Sequence, residues 1–289
     1  MSRPLRILIV EGNTQPARAA HKKVYGETSA ESYASVVHAI DSELVADIAL
    51  PADEGANLPD PAGLEAYDGV FVTGSSLNIY DLQPAVTRQI DLMRAVYQSK
   101  SPVFGSCWGI QLGAVAAGGV VHRNPKGREV GFARRLTRTA AGVNHPLLEG
   151  RPAVWDAPAI HLDEVSRLPP DATPLAFNAV SEVQAAEFTH EGSVFWGVQY
   201  HPEFSMRELA SIMRRRSRGL TTEGFASRED ELLGFCDDLD VLHDDPTRQD
   251  LAWRYGLDEQ TLNADLRTAE LRNFIAHRVK PIASARGRA

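Results

Sequence analysis

Short apolar runs alternate with longer amphipathic stretches through the N-terminal part of the chain. A near-continuous apolar run is typical of a strand buried on both faces, whereas apolar positions three and four apart indicate a helix. Residues 11–28 are predicted to be a polar loop, because Gly12, Pro16 and Gly26 interrupt them. The β–α alternation predicts an α/β fold with a mostly parallel open sheet and helices on both faces. The predicted strands are residues 5–10, 44–50, 69–73 and 103–104, and the predicted helices are 30–40, 84–100 and 110–117.

The pattern changes beyond residue 120, where short alternating runs are separated by turn residues. These runs predict further strands, including an antiparallel section, at residues 129–136, 153–155, 175–179, 183–188 and 194–198. Residues 204–218 are predicted to be helical, and the charged remainder holds two candidate amphipathic helices, 251–255 and 266–275. We therefore expect an α/β domain at residues 1–218 and a helical C-terminal extension at residues 219–289.

The composition fits either one large α/β domain or a domain with an appendage. The chain has 289 residues, 43% of them hydrophobic, and a formal net charge of -8. This acidic balance, with no long basic run before the C-terminal third, argues against nucleic acid as a partner. No apolar run is long enough to span a membrane, and the run at residues 5–10 is too short for a signal peptide. Two cysteines, Cys107 and Cys236, are too few for a disulfide framework and indicate a reducing, cytoplasmic environment.

The most informative local feature is the segment Gly105-Ser106-Cys107-Trp108-Gly109, which follows a short apolar run and opens a helix-like stretch. A strand, a tight Gly-x-Cys-x-Gly turn and a helix form the cysteine version of a nucleophile elbow. Glycine is needed on both sides of the nucleophile, because side chains there would collide with neighbouring backbone. The turn lifts the sulfur out of the sheet, and the helix N-terminus favours its thiolate form.

A nucleophilic cysteine needs a base that shares its proton and a third group that orients the base. His201 lies just past the predicted strand 194–198, and Glu203 follows two residues later. Residues two apart in an extended segment point to the same side, so we expect both side chains to face Cys107. A carboxylate in this position fixes the tautomer and orientation of the imidazole, as in serine-protease triads.

Such a reaction also needs backbone N–H donors for an oxyanion. We expect one from Trp108, directly after the nucleophile, and one from Ser75 in the loop Thr73-Gly74-Ser75-Ser76. Each pattern alone also fits a structural role: a buried thiol in a glycine-rich turn, a surface turn, or an ordinary β–α turn. Their order along the chain, each at a strand end, favours the catalytic interpretation over three separate coincidences.

In these motifs the chain resembles the class I, triad-type glutamine amidotransferases. Within that family it is similar to the glutaminase domain of GMP synthetase. The resemblance covers residues 7–204, about two thirds of the chain. Cys107 between Gly105 and Gly109 matches the nucleophile signature of the family. Residues 197–203 match its second signature, which supplies the histidine and the glutamate.

Weaker elements extend the resemblance to the glutamine pocket of the family. Other roles stay open for several of them: Glu129 also fits a solvated strand position, Gln111 a packing position, and His161 a structural one. The chain departs from the family at residues 73–76, where Ser-Gly-Gly-Pro is common, and at Ile160, which replaces the serine of Ser-His-x-Asp. The residues that the resemblance assigns to substrate binding are Gly74, Gln111, Glu129, Gly131 and His161.

The resemblance implies a flavodoxin-like fold and hydrolysis of the glutamine side-chain amide by Cys107, His201 and Glu203, through a γ-glutamyl thioester and without a metal or cofactor. Ammonia would pass to an acceptor on a separate synthetase subunit, because no phosphate-cradling glycine loop follows His201. Two alternatives stay open: a stand-alone hydrolase of γ-glutamyl amides, and a catalytically idle regulatory module. Assembly into a homo-oligomer also stays open.

Two features of the C-terminal third have competing interpretations. Trp253, Tyr255 and Leu257 either form an exposed apolar docking face or pack on the domain, and we favour packing. The basic cluster at residues 214–218 is most simply a solvated helix end that complements the helix dipole. A site for a phosphate-bearing partner or substrate is the less favoured interpretation of that cluster.

Overall fold

A computed structural model describes residues 4–287, which contain a nine-stranded sheet and a two-stranded ribbon. The strands are β1 (Arg6–Val10), β2 (Val45–Ala49), β3 (Gly69–Val72), β4 (Val103–Ser106), β5 (Val120–Arg123), β6 (Glu129–Arg138), β7 (Val154–His161), β8 (Asp163–Arg167), β9 (Thr173–Phe177), β10 (Ala185–His190) and β11 (Ser193–Val198). The large sheet has the order β2-β1-β3-β4-β11-β10-β9-β6-β7, and β5 pairs with β8. Strands β2, β1, β3, β4 and β11 are mutually parallel, whereas the pairs from β11 to β7 are antiparallel.

Helices cover both faces of this sheet, so the predicted α/β class with a mostly parallel open core and an antiparallel section is confirmed. Short 3₁₀ turns occur at Ile79–Asp81 and Pro146–Leu148, and a π-helical turn at Ile275–Val279. The α-helices are α1 (Gln15–Tyr25), α2 (Ser29–Ile40), α3 (Pro61–Leu64), α4 (Pro84–Gln98), α5 (Trp108–Ala116), α6 (Met206–Arg215), α7 (Ser217–Thr222), α8 (Glu229–Asp244), α9 (Gln249–Tyr255), α10 (Glu259–Leu262), α11 (Ala264–Arg267), α12 (Ala269–Phe274) and α13 (Lys280–Ala285).

The two faces of β1 show how the apolar runs build the core. Ile7 and Ile9 contribute to one buried cluster, and Leu8 and Val10 to the cluster on the opposite face. Side chains alternate between faces along a strand, so a strand covered on both sides must be apolar at every position. The near-continuous run in the sequence therefore marks a central strand of the sheet.

The predicted loop at residues 11–28 is wrong, because much of it forms α1. Pro16 lies in the first turn of that helix, where a missing N–H costs nothing. Gly26 ends the helix in the left-handed conformation, with φ of 102°, and its N–H donates to the carbonyl oxygen of Lys22. Both residues mark the ends of a helix here instead of interrupting one.

The C-terminal helices pack against the α/β core. Phe274 meets Phe71 of β3 edge-on, with ring centroids 5.1 Å apart. Of the three apolar residues near α9, Leu257 is buried and Tyr255 packs on Phe235, whereas Trp253 is 90% exposed. The predicted packing is therefore right for two of the three. Within residues 4–287, no helix combines the length and apolar character needed to cross a membrane.

Candidate active site

Cys107 lies in the turn between β4 and α5, at the carboxyl end of a central parallel strand. Its backbone has φ of 53° and ψ of -100°, a region that residues other than glycine rarely adopt. The Cys107 N–H donates to the carbonyl oxygen of Val198 at 2.8 Å, which ties the turn to the end of β11. Strained backbone of this kind is held by its surroundings and is concentrated at functional sites.

The glycines on either side of Cys107 are sterically required. A Cβ on Gly105 would lie 2.5 Å from the carbonyl carbon of Gly109. A Cβ on Gly109 would lie 2.6 Å from the carbonyl oxygen of Val72 in the neighbouring strand β3. Both separations are below van der Waals contact, so the turn and α5 pack closely onto the sheet only with glycine at these positions.

His201 and Glu203 follow β11 and are buried beside Cys107. The Nδ1 atom of His201 is 2.7 Å from Oε1 of Glu203, which leaves Nε2 for the sulfur. The imidazole also stacks on Phe204, with centroids 3.8 Å apart and planes 4° from parallel. The ring is therefore fixed both at its edge and on its face.

The charges around His201 favour its protonated form. Burial alone lowers the pKa of the imidazole, but the Glu203 carboxylate and the Cys107 sulfur outweigh burial and raise that pKa from 6.5 to about 10. This shift favours the imidazolium at neutral pH. An adjacent imidazolium stabilises a thiolate, so the arrangement suits a cysteine that acts in its ionised state.

A buried hydroxyl chain holds the second oxygen of Glu203. The Ser106 hydroxyl donates to Oε2 of Glu203 at 2.9 Å, and the hydroxyl of Tyr33 lies 3.2 Å from that of Ser106. Burial, followed by the charge of Glu203, raises the pKa of Tyr33 well above its ordinary value, so its hydroxyl keeps its proton. The carboxylate is therefore held on both oxygens, and its angle to the imidazole is fixed.

The two expected oxyanion donors come from the residue after Cys107 and from the loop after β3, the strand beside β4. Trp108 is the first residue of α5, where backbone N–H groups have no partner within the helix. Its side chain points away from the cavity, and Nε1 donates to Oε1 of Gln89 at 2.8 Å. Ser75 lines the cavity, and among residues 4–287 no acceptor is found for the N–H of Gly74 or Ser75. The loop thus offers two free donors.

A cavity of about 510 Å³ opens in front of Cys107. Three of the ten residues predicted for the site do not line it: Trp108, Glu129 and Gly131. The other seven do line it, and they are Gly74, Ser75, Cys107, Gln111, His161, His201 and Glu203.

Gln111 is buried one helical turn after the nucleophile and holds the cavity wall. Its Nε2 donates to the carbonyl oxygen of Asp163 at 3.0 Å and to Oε1 of Gln199 at 3.3 Å. Gly74 makes room for the imidazole, because a Cβ there would lie 2.6 Å from Cε1 of His201. Gln111 therefore holds Asp163 and Gln199 in place, and Gly74 leaves the space that His201 occupies.

Glu129 is not a solvated strand residue, since it is only 5% exposed. Its carboxylate lies 2.9 Å from Nε2 of His161 and accepts hydrogen bonds from Asn178 at 2.6 Å and from Gln184 at 2.7 Å. His161 lines the cavity, and its Nδ1 lies 3.0 Å from the carbonyl oxygen of Asp163. Glu129 therefore fixes the orientation of His161 from behind the cavity wall.

Gly131 lies on β6, away from the cavity, with φ of 79°. A Cβ there would come within 3.8 Å of Phe235 in α8, an ordinary contact. The positive φ is sufficient reason for glycine at this position. Within residues 4–287, no group of three or more His, Cys, Asp or Glu side chains is arranged to hold a metal ion.

Several cavity residues were missed from the sequence. Asn13 and His21 line the cavity, and His21 comes from the helix that was predicted to be a loop. Arg215 and Arg216 of the basic cluster also line it: Arg215 is exposed, as predicted for that cluster, whereas Arg216 is half-buried. No motif marks Asn13 or His21, and the basic cluster does not show by itself which of its arginines face the cavity. Only the packing of α1 and α6 in the fold reveals these positions.

The sequence profile of the family Glutamine amidotransferase class-I matches residues 30–217. This chain therefore belongs to the class I glutamine amidotransferase family, as its motifs predicted. A gamma-glutamyl-L-1-hydroxyisopropylamide hydrolase from a Pseudomonas species is 41% identical over 223 residues, which span 76% of this chain and 75% of that protein.

Two other relatives match over shorter stretches. A glutamine-hydrolyzing GMP synthase from Nitrosomonas eutropha is 35% identical over 47% of this chain, and the match spans 25% of that protein. Gamma-glutamyl peptidase 4 of Arabidopsis thaliana is 30% identical over 54% of this chain and 62% of that protein. A glutamine amidotransferase from Thermotoga maritima has the same fold, with a TM-score of 0.64 at 17% identity, covering 96% of this chain and 99% of that one.

Proposed function

We propose that this chain hydrolyses the amide bond of γ-glutamyl amides, with Cys107 as nucleophile, His201 as proton carrier and Glu203 as the group that orients the histidine. The observation that carries the proposal is the contact between His201 Nδ1 and Glu203 Oε1 at 2.7 Å, in a cavity that Cys107 also lines. It leaves Nε2 of the imidazole available to the sulfur and to the scissile nitrogen, which is the arrangement that acyl transfer requires.

In the first half-reaction the Cys107 thiolate attacks the γ-carbonyl carbon, forming a carbon–sulfur bond and moving an electron pair onto the oxygen. The N–H groups of Trp108 and Ser75 donate to this oxyanion. Collapse of the intermediate breaks the carbon–nitrogen bond, and the His201 imidazolium gives its proton to the leaving nitrogen. An amine, or ammonia, departs and a γ-glutamyl thioester remains on Cys107.

In the second half-reaction water attacks the thioester carbon. His201, now neutral, accepts a proton from the water through Nε2, while Glu203 stabilises the imidazolium that forms. Collapse breaks the carbon–sulfur bond and releases glutamate. The thiolate and the imidazolium are restored, so the cycle begins again with the same charges.

The substrate that we propose is a γ-glutamyl amide whose amine is larger than ammonia. Ligand pockets for drug-sized molecules occupy roughly 300–1,000 Å³, and a cavity of about 510 Å³ leaves space beyond the glutamyl group. The 41% identity to the Pseudomonas hydrolase, over three quarters of both chains, favours the same choice. The second candidate is a glutaminase subunit that delivers ammonia to a synthetase, which is favoured by the 35% identity to part of a GMP synthase.

The test is amine release by the purified chain alone, measured with γ-glutamylisopropylamide and with glutamine. The hydrolase proposal predicts turnover without any partner and a higher kcat/KM for the isopropylamide. A glutaminase subunit would prefer glutamine and gain activity with a synthetase. An idle module would hydrolyse neither. Cys107→Ala is the control, and we expect it to lower the rate by about 10⁴-fold or more.

We further propose that the reaction takes place in a reducing compartment such as the cytoplasm, because Cys107 and Cys236 are both free thiols. For the organisation of the chain, we propose a catalytic domain at residues 1–218 and a helical extension at 219–289 that completes its core. Support comes from the buried ion pair of Arg151 with Glu270, at 2.7 Å, which joins the two parts.

A further inference from the structure

Three arginines line the cavity that holds Cys107. Arg128 lies directly before β6, and Arg215 and Arg216 lie at the C-terminal end of α6. Arg128 has an anionic partner within the protein, since it donates two hydrogen bonds to Glu223 at 2.8 and 3.2 Å. For Arg215 and Arg216, no ion pair or side-chain hydrogen bond is found among residues 4–287.

Their neighbours in the same basic cluster are all paired. Arg214 binds Asp237 at 2.7 Å and Asp240 at 2.6 Å. Arg218 lies 3.6 Å from Glu229. Within residues 214–218, the two arginines that face the cavity are therefore the two that lack a carboxylate. In a chain with a net charge of -8, this is not explained by a shortage of acidic residues.

The unpaired guanidinium groups repel one another. Burial lowers the pKa of Arg215, and the charge of Arg216 lowers it further. Burial also lowers the pKa of Arg216, as does Arg128, whereas Glu223 and Cys107 act in the opposite direction. Arg216 is half-buried, whereas Arg215 is exposed at the rim of the cavity. A partly buried cation beside like charges and without a counter-ion is unfavourable, and a bound anion would relieve this.

We propose that Arg215 and Arg216 bind a carboxylate of the substrate while its scissile amide lies at Cys107. This inference rests on the proposed hydrolysis of γ-glutamyl amides. Every such compound carries an α-carboxylate a few bonds from the γ-carbonyl, and some carry a second carboxylate on the amine. Planar guanidinium groups match the geometry of a carboxylate, and the resulting charge-assisted hydrogen bonds are strong.

The test compares matched substrates with Arg215→Gln and Arg216→Gln. The first pair is glutamine and glutamine α-amide, which differ only in the α-carboxylate. The second pair is γ-glutamylglycine and γ-glutamylethylamide, which differ by a carboxylate on the amine. We expect Arg216→Gln to lower kcat/KM for the carboxylate-bearing member of one pair by about 10- to 100-fold, and for its neutral partner by far less. Arg216→Lys should keep part of the preference.

The control is Arg218→Gln, whose side chain is 92% exposed and outside the cavity, and we expect wild-type selectivity from it. The pair that loses its preference identifies which carboxylate is bound. Equal losses for charged and neutral substrates, or unchanged selectivity, would overturn the inference while leaving the proposed function intact. A wild-type protein that releases neither amine nor ammonia from any of the four compounds would overturn both the inference and the proposed function.

Discussion

The imidazole of His201 occupies the space that a side chain at Gly74 would fill, because a Cβ at position 74 would lie 2.6 Å from His201 Cε1. The loop that holds Gly74 is fixed from its other side, where Asn13 Nδ2 donates to the Gly74 carbonyl at 3.2 Å. The proposed oxyanion loop and the proposed proton carrier are therefore positioned against each other.

Gly74→Ala should displace the imidazole from Cys107 while the fold is kept. Small misplacements of a reacting group can cost about 10²-fold in rate, and we expect a loss of that order in kcat/KM. Overpacking of this kind destabilises by roughly 1–3 kcal/mol. Steady-state kinetics and thermal unfolding of the same samples measure the two effects.

The matched control for this substitution is Gly219→Ala in α7, where a Cβ meets open space. Alanine is favoured over glycine in a helix by roughly 0.5–1 kcal/mol. This variant should therefore be as active as the wild type and slightly more stable. Full activity in Gly74→Ala would show that catalysis does not require the His201 imidazole to lie against Gly74.

Glu203→Gln should move the alkaline limb of the pH–rate profile to lower pH. The alkaline limb reflects loss of the His201 proton, because the leaving nitrogen needs that proton. The charge of Glu203 is one of the causes that raise the pKa of His201 to about 10. Removing the carboxylate charge lowers that pKa, and the rate should fall by up to about 10⁴-fold. The profile of kcat/KM against pH is the measurement, and an unmoved limb would assign it to another group.

The same charge arrangement predicts a pH dependence of stability. The His201 pKa is 6.5 when unperturbed and about 10 in the fold, so the folded state holds the proton more tightly. Its contribution to the free energy of unfolding is complete below pH 6.5 and is lost as the pH rises to about 10. Urea unfolding at several pH values should show this decline in the wild type and a flatter dependence in His201→Gln. The same pH dependence of the unfolding free energy in the wild type and in His201→Gln would contradict this prediction.

Glu270→Ala should strongly destabilise the protein through the C-terminal helices. The side chains of Arg151 and Glu270 are fully buried 2.7 Å apart, and Glu270 also accepts from the hydroxyl of Tyr200 at 2.7 Å. Removing one member of a buried pair costs about 3–5 kcal/mol, because the other charge stays buried. Chemical denaturation measures this, with the exposed Asp250→Asn as a control that should unfold like the wild type.

Much of the α/β core was predictable, because local patterns there agree with the fold. Buried parallel strands need apolar residues at every position, so residues 5–10 and 69–73 stand out in the sequence. The turn at Cys107 is equally visible, since Gly105 and Gly109 have no alternative that fits beside the sheet. The pairing of His201 with Glu203 follows from their spacing of two residues after a strand.

Other parts of the site depend on contacts between distant segments. Helix α1 is hidden in the sequence because Pro16 and Gly26 also suit a loop, and only the structure shows that they lie in the first turn and at the end of a helix. From the sequence, Glu129 fits either substrate binding or a solvated strand position, and its buried hydrogen bonds with Asn178 and Gln184 appear only in the folded chain. The cavity-facing position of Arg216 depends on how α6 packs, which no local pattern specifies.

The claim that a poised Cys107 sulfur is the nucleophile is tested most directly by covalent trapping. A diazo-ketone analogue of glutamine is incubated with the protein, and the modified peptide is located by mass spectrometry. Cys236 is an internal control, because burial raises the pKa of its thiol to about 11. We predict a single adduct on Cys107, formed much more slowly in His201→Ala. An unmodified Cys107, or an adduct on Cys236 instead, would contradict the account.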